Sequence, residues 1–295
     1  MLEFKALGLE DAGLFKTYLG RLESPSCEMN FANLFLWSPT TDCRFAEYRG
    51  RLVVVAPAEG IVFSPIGEWL EPAELAELAA MVKAAGLAEG VIYDVPPEYV
   101  EAHPRLGELF EIEYSRDFAD YIYELEHLAN LSGARLRKKR NLVRQFERAY
   151  SDITLGQITR ENLPEVMALA AQVFAGNEMT ESLESELKVW PMVENYLFAP
   201  ELELESLTLS VEGRIIGFAI FSPLGRDGFD IHFEKIEHHL YKGAAQFFVQ
   251  ALARHLVGRG RYMNREQDLG VSGLRRAKES LDPAFLYRRH TLTLK

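Results

Sequence analysis

Polar groups with spacings suited to group transfer lie in three stretches of this 295-residue chain. In DIHFEKI, residues 230–236, strand alternation predicts His232 and Glu234 on one face and Phe233 and Lys235 on the other. A carboxylate or imidazole at a strand end suits removal of a proton from an attacking amine or hydroxyl, with Glu234 the first candidate and His232 the second. The tetrahedral oxyanion of such an attack needs donors, for which backbone N–H groups, Lys235 and Tyr241 are candidates. His232 and Glu234 also spell HxE, but no PCxxC follows, so no metal site is expected.

The second stretch is NREQDLGVSGLRRAKESLDP, residues 264–283. Read as a strand followed by a helix capped near Ser272, it puts Asn264, Glu266 and Asp268 on one strand face, with Arg265 between them. Arg275 and Lys278 then share one side of the helix. Carboxylates facing two cations either form a buried ion-pair network or hold a zwitterion. Just upstream, Gly243 and Ala245 open an apolar helix, and a helix N-terminus suits a phosphate or carboxylate. Small residues there also serve close packing.

The third stretch, residues 135–148, has seven basic residues against one acid in a chain of net charge −12. As a helix it lines Arg137, Arg140, Arg144 and Arg148 along one side, opposite Leu136, Leu142, Val143, Phe146 and Tyr150. Arg137, Lys138, Lys139, Arg140 and Arg144 are the candidates for nucleic-acid phosphates; the competing reading is a solvated face. Lys139 falls among the apolar residues and must snorkel, pair with a carboxylate or point into a cavity. No aromatic residue interleaves with the cations of RLRKKRNLVRQ, which weighs against a purely nucleic-acid-binding module.

These stretches need a scaffold. Hydrophobic residues at 48% and charged residues at 26% describe a globular protein, and the length suits two domains. No run approaches a membrane span and no leader pattern opens the chain, so a cytoplasmic location is expected. Cys27 and Cys43 form no metal or redox motif and are expected to be reduced. GxSxG, GxxxxGK[ST], a strand-borne GxGxxG and HExxH are all missing.

Two halves repeat one order of elements, each with a hairpin, at Arg49-Gly50 and at Glu212-Gly213, followed by FSPIG or FSPLG. The expected fold is mixed α/β, with a domain at 1–126, a basic linking helix at 127–150, and a domain at 151–295 carrying the site. The order of elements is that of the GNAT acyltransferase fold. In place of the [QR]xxGx[GA] turn that holds the CoA pyrophosphate in that fold, residues 240–245 read LYKGAA, with Leu240 at the first position.

DYIYELEHLANLSGARLRKKRNLVRQFERAY, IHFEKIEHHLYKGAAQFFVQ and YMNREQDLGVSGLRRAKESLDPAFLYRRH, with NFANLFLW and SPIGE, resemble the bacterial phosphatidylglycerol lysyltransferase C-terminal domain family over nearly the whole chain. The resemblance implies two tandem GNAT-like domains and an enzyme of the acyl or aminoacyl transferase class. Its donor would be an aminoacyl-tRNA or an acyl-CoA and its acceptor an amine or hydroxyl. Glu266 and Asp268 would then face the α-ammonium of an aminoacyl donor, and Arg137, Arg140, Arg144, Arg275 and Lys278 the phosphates of a tRNA. The lipid-modifying synthases carry a long transmembrane portion that this sequence lacks, so a phosphatidylglycerol acceptor is not expected. The alternatives are an acyl-CoA-dependent N-acetyltransferase acting on a small amine and a non-catalytic tRNA- or nucleotide-binding module.

Overall fold

A computed structural model describes residues 2–176 and 181–295. The first half of the chain runs β1 (Lys5–Ala6), α1 (Ala12–Leu19), α2 (Phe31–Thr41), β2 (Arg44–Tyr48), β3 (Arg51–Ala56), β4 (Ile61–Phe63), α3 (Pro72–Ala84), β5 (Val91–Val95), α4 (Pro97–Ala102), β6 (Phe110–Tyr114), β7 (Asp120–Glu124) and α5 (Leu125–Asn130). After the basic helix α6 (Arg137–Ala149) come β8 (Ile153–Gly156), α7 (Leu163–Ala175), α8 (Glu181–Tyr196), β9 (Glu205–Val211), β10 (Arg214–Leu224) and β11 (Gly228–Ile236). The chain closes with α9 (Ala244–Leu256), β12 (Tyr262–Asn264), α10 (Ser272–Glu279), β13 (Phe285–Tyr287) and β14 (His290–Leu294). Both expected hairpins form. Arg49 and Gly50 have φ of 48° and 75°, and Glu212 and Gly213 have 52° and 77°, the two left-handed residues of a type I′ turn.

The strands form two seven-stranded sheets, ordered β1-β2-β3-β4-β5-β14-β6 and β8-β9-β10-β11-β12-β7-β13. Position by position the two orders match, and in both the fourth and fifth strands are the parallel pair. The sixth strand is exchanged: β7 from the first half completes the second sheet, and the C-terminal β14 completes the first. The boundary expected at residue 126 therefore does not follow the sheets, and the expected closing strand divides into β13 and β14, one in each. FSPIG begins at the end of the fourth strand of its sheet, whereas FSPLG lies within the third of the other, so those matching residues are not equivalent in the repeat.

Alternation along the strands divides the core into layers. On β3, Leu52, Val54 and Ala56 face a layer shared by the two halves, while Val53 and Val55 face the outer side of the first sheet. The shared layer lies between the sheets and joins Phe15, Phe31 and Phe35 to Phe174, Trp190, Phe218 and Phe233. Phe35 meets Tyr196 edge to face at 5.0 Å across it. The outer face of the second sheet is covered by α5, α6 and α9. Among the described residues no helix is long and apolar enough to cross a membrane.

Candidate functional site

The parallel pair β11–β12 runs in register through Gly228–Tyr262, Phe229–Met263 and Asp230–Asn264, and then stops, while β11 continues to Ile236. A gap opens between the strands at the place where α/β sheets bind ligands. Glu266, two residues past the end of β12, has φ of 53°, and the chain turns away there.

A β-bulge determines what faces the gap on each side. Ile220 pairs with Phe233 but Phe221 pairs with Ile231, so His232 is the extra residue. The bulge inverts the alternation: Asp230 and Phe233 face the layer between the sheets, whereas Glu234, opposite Ala219, faces the outer side under α6. The expectation that His232 and Glu234 share a face fails for this reason. Lys235 lies on the inner side, 2.7 Å from Glu186 and 4.8 Å over the ring of Phe174, away from Glu234.

On the outer side Arg265 clasps Glu234 with Nη2 at 2.8 and 2.9 Å and Nε at 3.2 Å, a bidentate pair spanning the gap. Its guanidinium lies over Tyr123, and Lys139 of α6 is near enough to feel its charge. Burial, and then the nearby guanidinium, lower the Lys139 ammonium below its usual range. No carboxylate pairs with Lys139 among the described residues, and the side chain is half-buried, which leaves snorkelling and a cavity as the two sequence-based possibilities.

On the inner side Asp230 is fully buried and His232 nearly so. The ring Nε2 of His232 lies within hydrogen-bond distance of Ser222 Oγ at 2.8 Å, and that oxygen accepts from Asn30 Nδ2 at 2.9 Å. Burial drops the imidazole to about 3, so it is neutral at physiological pH. The carboxyl of Glu266 is pushed up by desolvation, against the pull of Lys278. Beyond lies a polar core that sequence reasoning missed. Arg289 pairs with Asp120, with Glu28 at 2.9 Å and with Asp94 at 3.4 Å. Cys27, free like Cys43, donates its backbone N–H to Asp120 at 3.0 Å. The only sequence signals for this core were charged residues inside strand-like apolar runs, DYIYE and LYRRH.

The charges of 264–283 mostly hold one another. Asp268 accepts from Arg275 at 2.7 and 2.8 Å, Tyr121 at 2.6 Å, Gly270 at 3.0 Å and Arg116 at 3.1 Å. Burial opposes its ionisation, but these bonds hold it well below the usual carboxylate range. Arg275 also reaches Asp117 at 2.5 Å. Lys278 donates to the carbonyls of Arg265, at 2.5 Å, and Gln267, fixing the end of β12. Asn264 donates to Pro25 and Asp120 and accepts from the N–H of Glu266 at 2.6 Å. Of this stretch, Arg265 and Glu266 remain at the gap.

The remaining candidates are placed by α6. Arg137, Lys138 and Arg144 are exposed, whereas Arg140 donates to the carbonyls of Leu131 and Gly133 and closes the preceding loop. Tyr241 packs on the ring of Tyr150 at 5.3 Å in the apolar layer. Gly243, with φ of 90°, is the N-cap of α9, and a Cβ there would meet the Leu142 carbonyl oxygen at 2.4 Å. The backbone of α6 thus presses on the helix opening that was a candidate anion site. Gly243→Ala is expected to cost at least about 2 kcal/mol through backbone strain and displacement of α6. Gly258→Ala, also at positive φ but in open space, isolates the strain alone. Equal urea midpoints for the two variants would show that α6 yields freely.

Two matched mixed sheets, the parallel strands parted in the second and a helical layer between them, define a tandem GNAT-like protein. A tandem GNAT protein from the clavulanic acid biosynthesis pathway has this fold, with a TM-score of 0.50 at 11% identity over 100% of this chain and 98% of that one. Residues 20–292 match the family described as phosphatidylglycerol lysyltransferase, C-terminal, and the chain belongs to it. A conserved protein of unknown function from Bacteroides thetaiotaomicron VPI-5482 is 27% identical over the full length of both chains, with a TM-score of 0.92. The L-PGS of Bacillus licheniformis is 17% identical over 97% of this chain and 91% of that one, with a TM-score of 0.66.

Proposed function

We propose that this chain transfers an aminoacyl group from aminoacyl-tRNA to an amine or hydroxyl acceptor at the β11–β12 gap. The family and fold supply the acyltransferase class. The observation that carries the donor reading is the position of α6. Its backbone occupies the approach to the α9 opening, the turn on which an acyl-CoA reading depends, while it presents Arg137, Lys138 and Arg144 outward. A tRNA acceptor end laid along α6 would place its phosphates on those cations and its ester at the gap. There Glu234, held by Arg265, is the base for the acceptor. Backbone N–H groups of the unpaired edge of β11 are the oxyanion donors.

Thermal shift with uncharged tRNA and with acetyl-CoA, together with loss of the ester from bulk aminoacyl-tRNA, tests this. A shift with tRNA and accelerated deacylation are expected. Arg144 is exposed and makes no side-chain hydrogen bond or ion pair among the described residues, so Arg144→Glu should weaken tRNA binding roughly fivefold to tenfold at low salt. A shift with acetyl-CoA alone would sink the reading in favour of an N-acetyltransferase. Binding that ignores Arg144→Glu would remove α6 from it.

A further inference from the structure

On the inner side of the gap, Asp230, His232 and Glu266 each offer one ligand atom, and these atoms lie within 4.8 Å of one another. Both carboxylate oxygens of Asp230 and Nδ1 of His232 are buried without a hydrogen-bond partner among the described residues. The two side chains are 0% and 1% exposed, so bulk solvent does not reach them. A dry carboxylate beside a bare ring nitrogen is costly unless a cation lies between them. The surroundings add to this, since Asp120 and Glu28 are the next charges seen by Asp230 and only Arg289 opposes them.

The hydrogen bond between His232 and Ser222 favours a metal over an organic cation. The tautomer with Nε2–H donated to Ser222 Oγ turns the lone pair of Nδ1 towards Asp230, as a metal ligand requires; its competitor accepts the Ser222 hydroxyl at Nε2 and directs Nδ1–H at Asp230. His232 Nδ1 and Asp230 Oδ2 are 3.5 Å apart, and at metal–ligand distances of about 2.1 Å that separation subtends roughly 110°, near the tetrahedral angle. Glu266 is half-buried, so the third ligand stands at the accessible rim, where an ion would enter. An ammonium group would donate hydrogen bonds in this space and has no need of so open an angle at a nitrogen lone pair.

We infer that Asp230, His232 and Glu266 form a binding site for a divalent first-row transition ion such as Zn²⁺, with its fourth position open to the gap. Three protein ligands with a fourth position open is the form of a catalytic rather than a structural site, and a mixed imidazole and carboxylate set suits a borderline first-row ion. The inference does not rest on the transferase reading.

The test uses the full chain stripped with chelator and titrated with Co²⁺ and then Zn²⁺. The expected result is a visible Co²⁺ spectrum of four-coordinate type at a stoichiometry of about one, displaced by Zn²⁺, and a thermal midpoint that rises with Zn²⁺. Asp230→Asn and His232→Gln should each lower Zn²⁺ affinity tenfold or more. The exposed neighbours His238 and His239 are the alternative ligands, and replacing both with alanine should leave binding unchanged. Absence of a Co²⁺ spectrum and of saturable Zn²⁺ binding to the unaltered chain overturns the inference without need of any variant. Binding that survives Asp230→Asn, or that leaves with His238 and His239, overturns it equally.

Discussion

Arg289→Ala is expected to destabilise the chain by about 3–5 kcal/mol and to leave little of it soluble, the usual consequence of removing one partner from a buried charge cluster. Arg289 is 1% exposed and is the cation shared by Asp120, Glu28 and Asp94. It immediately precedes β14, which completes the first sheet, while Asp120 begins β7, which completes the second. The ion pair thus ties the two exchanged strands together, and its loss weakens both sheets at once. Asp120 would keep bonds from Cys27, Asn264 and Gln267, and Asp94 its bond from Ser26. No other bond is made by the Glu28 carboxylate among the described residues. The deficit should shrink with acid. Burial, against the pull of Arg289, already raises Glu28 to about 7 and Asp94 to about 6. A carboxyl raised in the folded state takes up its proton there first, so stability grows as pH falls through the folded value. Without the guanidinium those values climb further, and urea midpoints of the variant should recover between pH 8 and about 5.5. Arg288→Ala, at the exposed neighbour, should change stability by no more than about 0.5 kcal/mol. An Arg289→Ala cost below about 1 kcal/mol would show that the cluster relaxes or admits water.

The elements were largely legible because each has a local cause. Left-handed pairs at Arg49-Gly50 and Glu212-Gly213 made both hairpins, and the period of α6 separated its apolar face from its arginines. The exchange of β7 and β14 was not legible. DYIYE is buried on both faces and reads as an interior strand of either sheet, and nothing in HTLTL distinguishes sheets. Strand partnership is decided by tertiary packing over long sequence separations, which periodicity does not record.

The candidate site was legible in location and misread in detail for one physical reason. Alternation assigns faces only while the strand is regular, and the bulge at His232 breaks it. Across that bulge Glu234 moves to the outer side and Lys235 to the inner, while His232 joins Asp230, a residue the HxE reading passed over. Asp268 and Arg275 were weighed as either mutual partners or ligand groups, and their geometry is that of mutual partners. Lys139, a cation that the helical period puts among apolar residues, is half-buried, and burial lowers its ammonium.

Because Glu234 and Arg265 span the gap, the pair provides the sharpest functional test. Arg265→Lys keeps the positive charge beside Glu234 but replaces a planar fork with a point charge. The ion pair is about 15% exposed on either side, so a lysine that still meets the carboxylate should cost only about 1 kcal/mol of stability. Aminoacyl transfer should suffer far more. Three N–H contacts at 2.8–3.2 Å fix the Glu234 carboxylate, the proposed base, and loosening that clasp would misplace it relative to the acceptor. A fall in kcat of roughly tenfold to a hundredfold is expected, with little change in the apparent KM for tRNA, since the cations that would meet tRNA lie on α6. Glu234→Gln, which keeps the shape but cannot take a proton, should fall at least as far and lose the pH dependence due to the base. An Arg265→Lys chain as stable and as active as the parent would make the pair a structural strut and move the chemistry elsewhere along the gap.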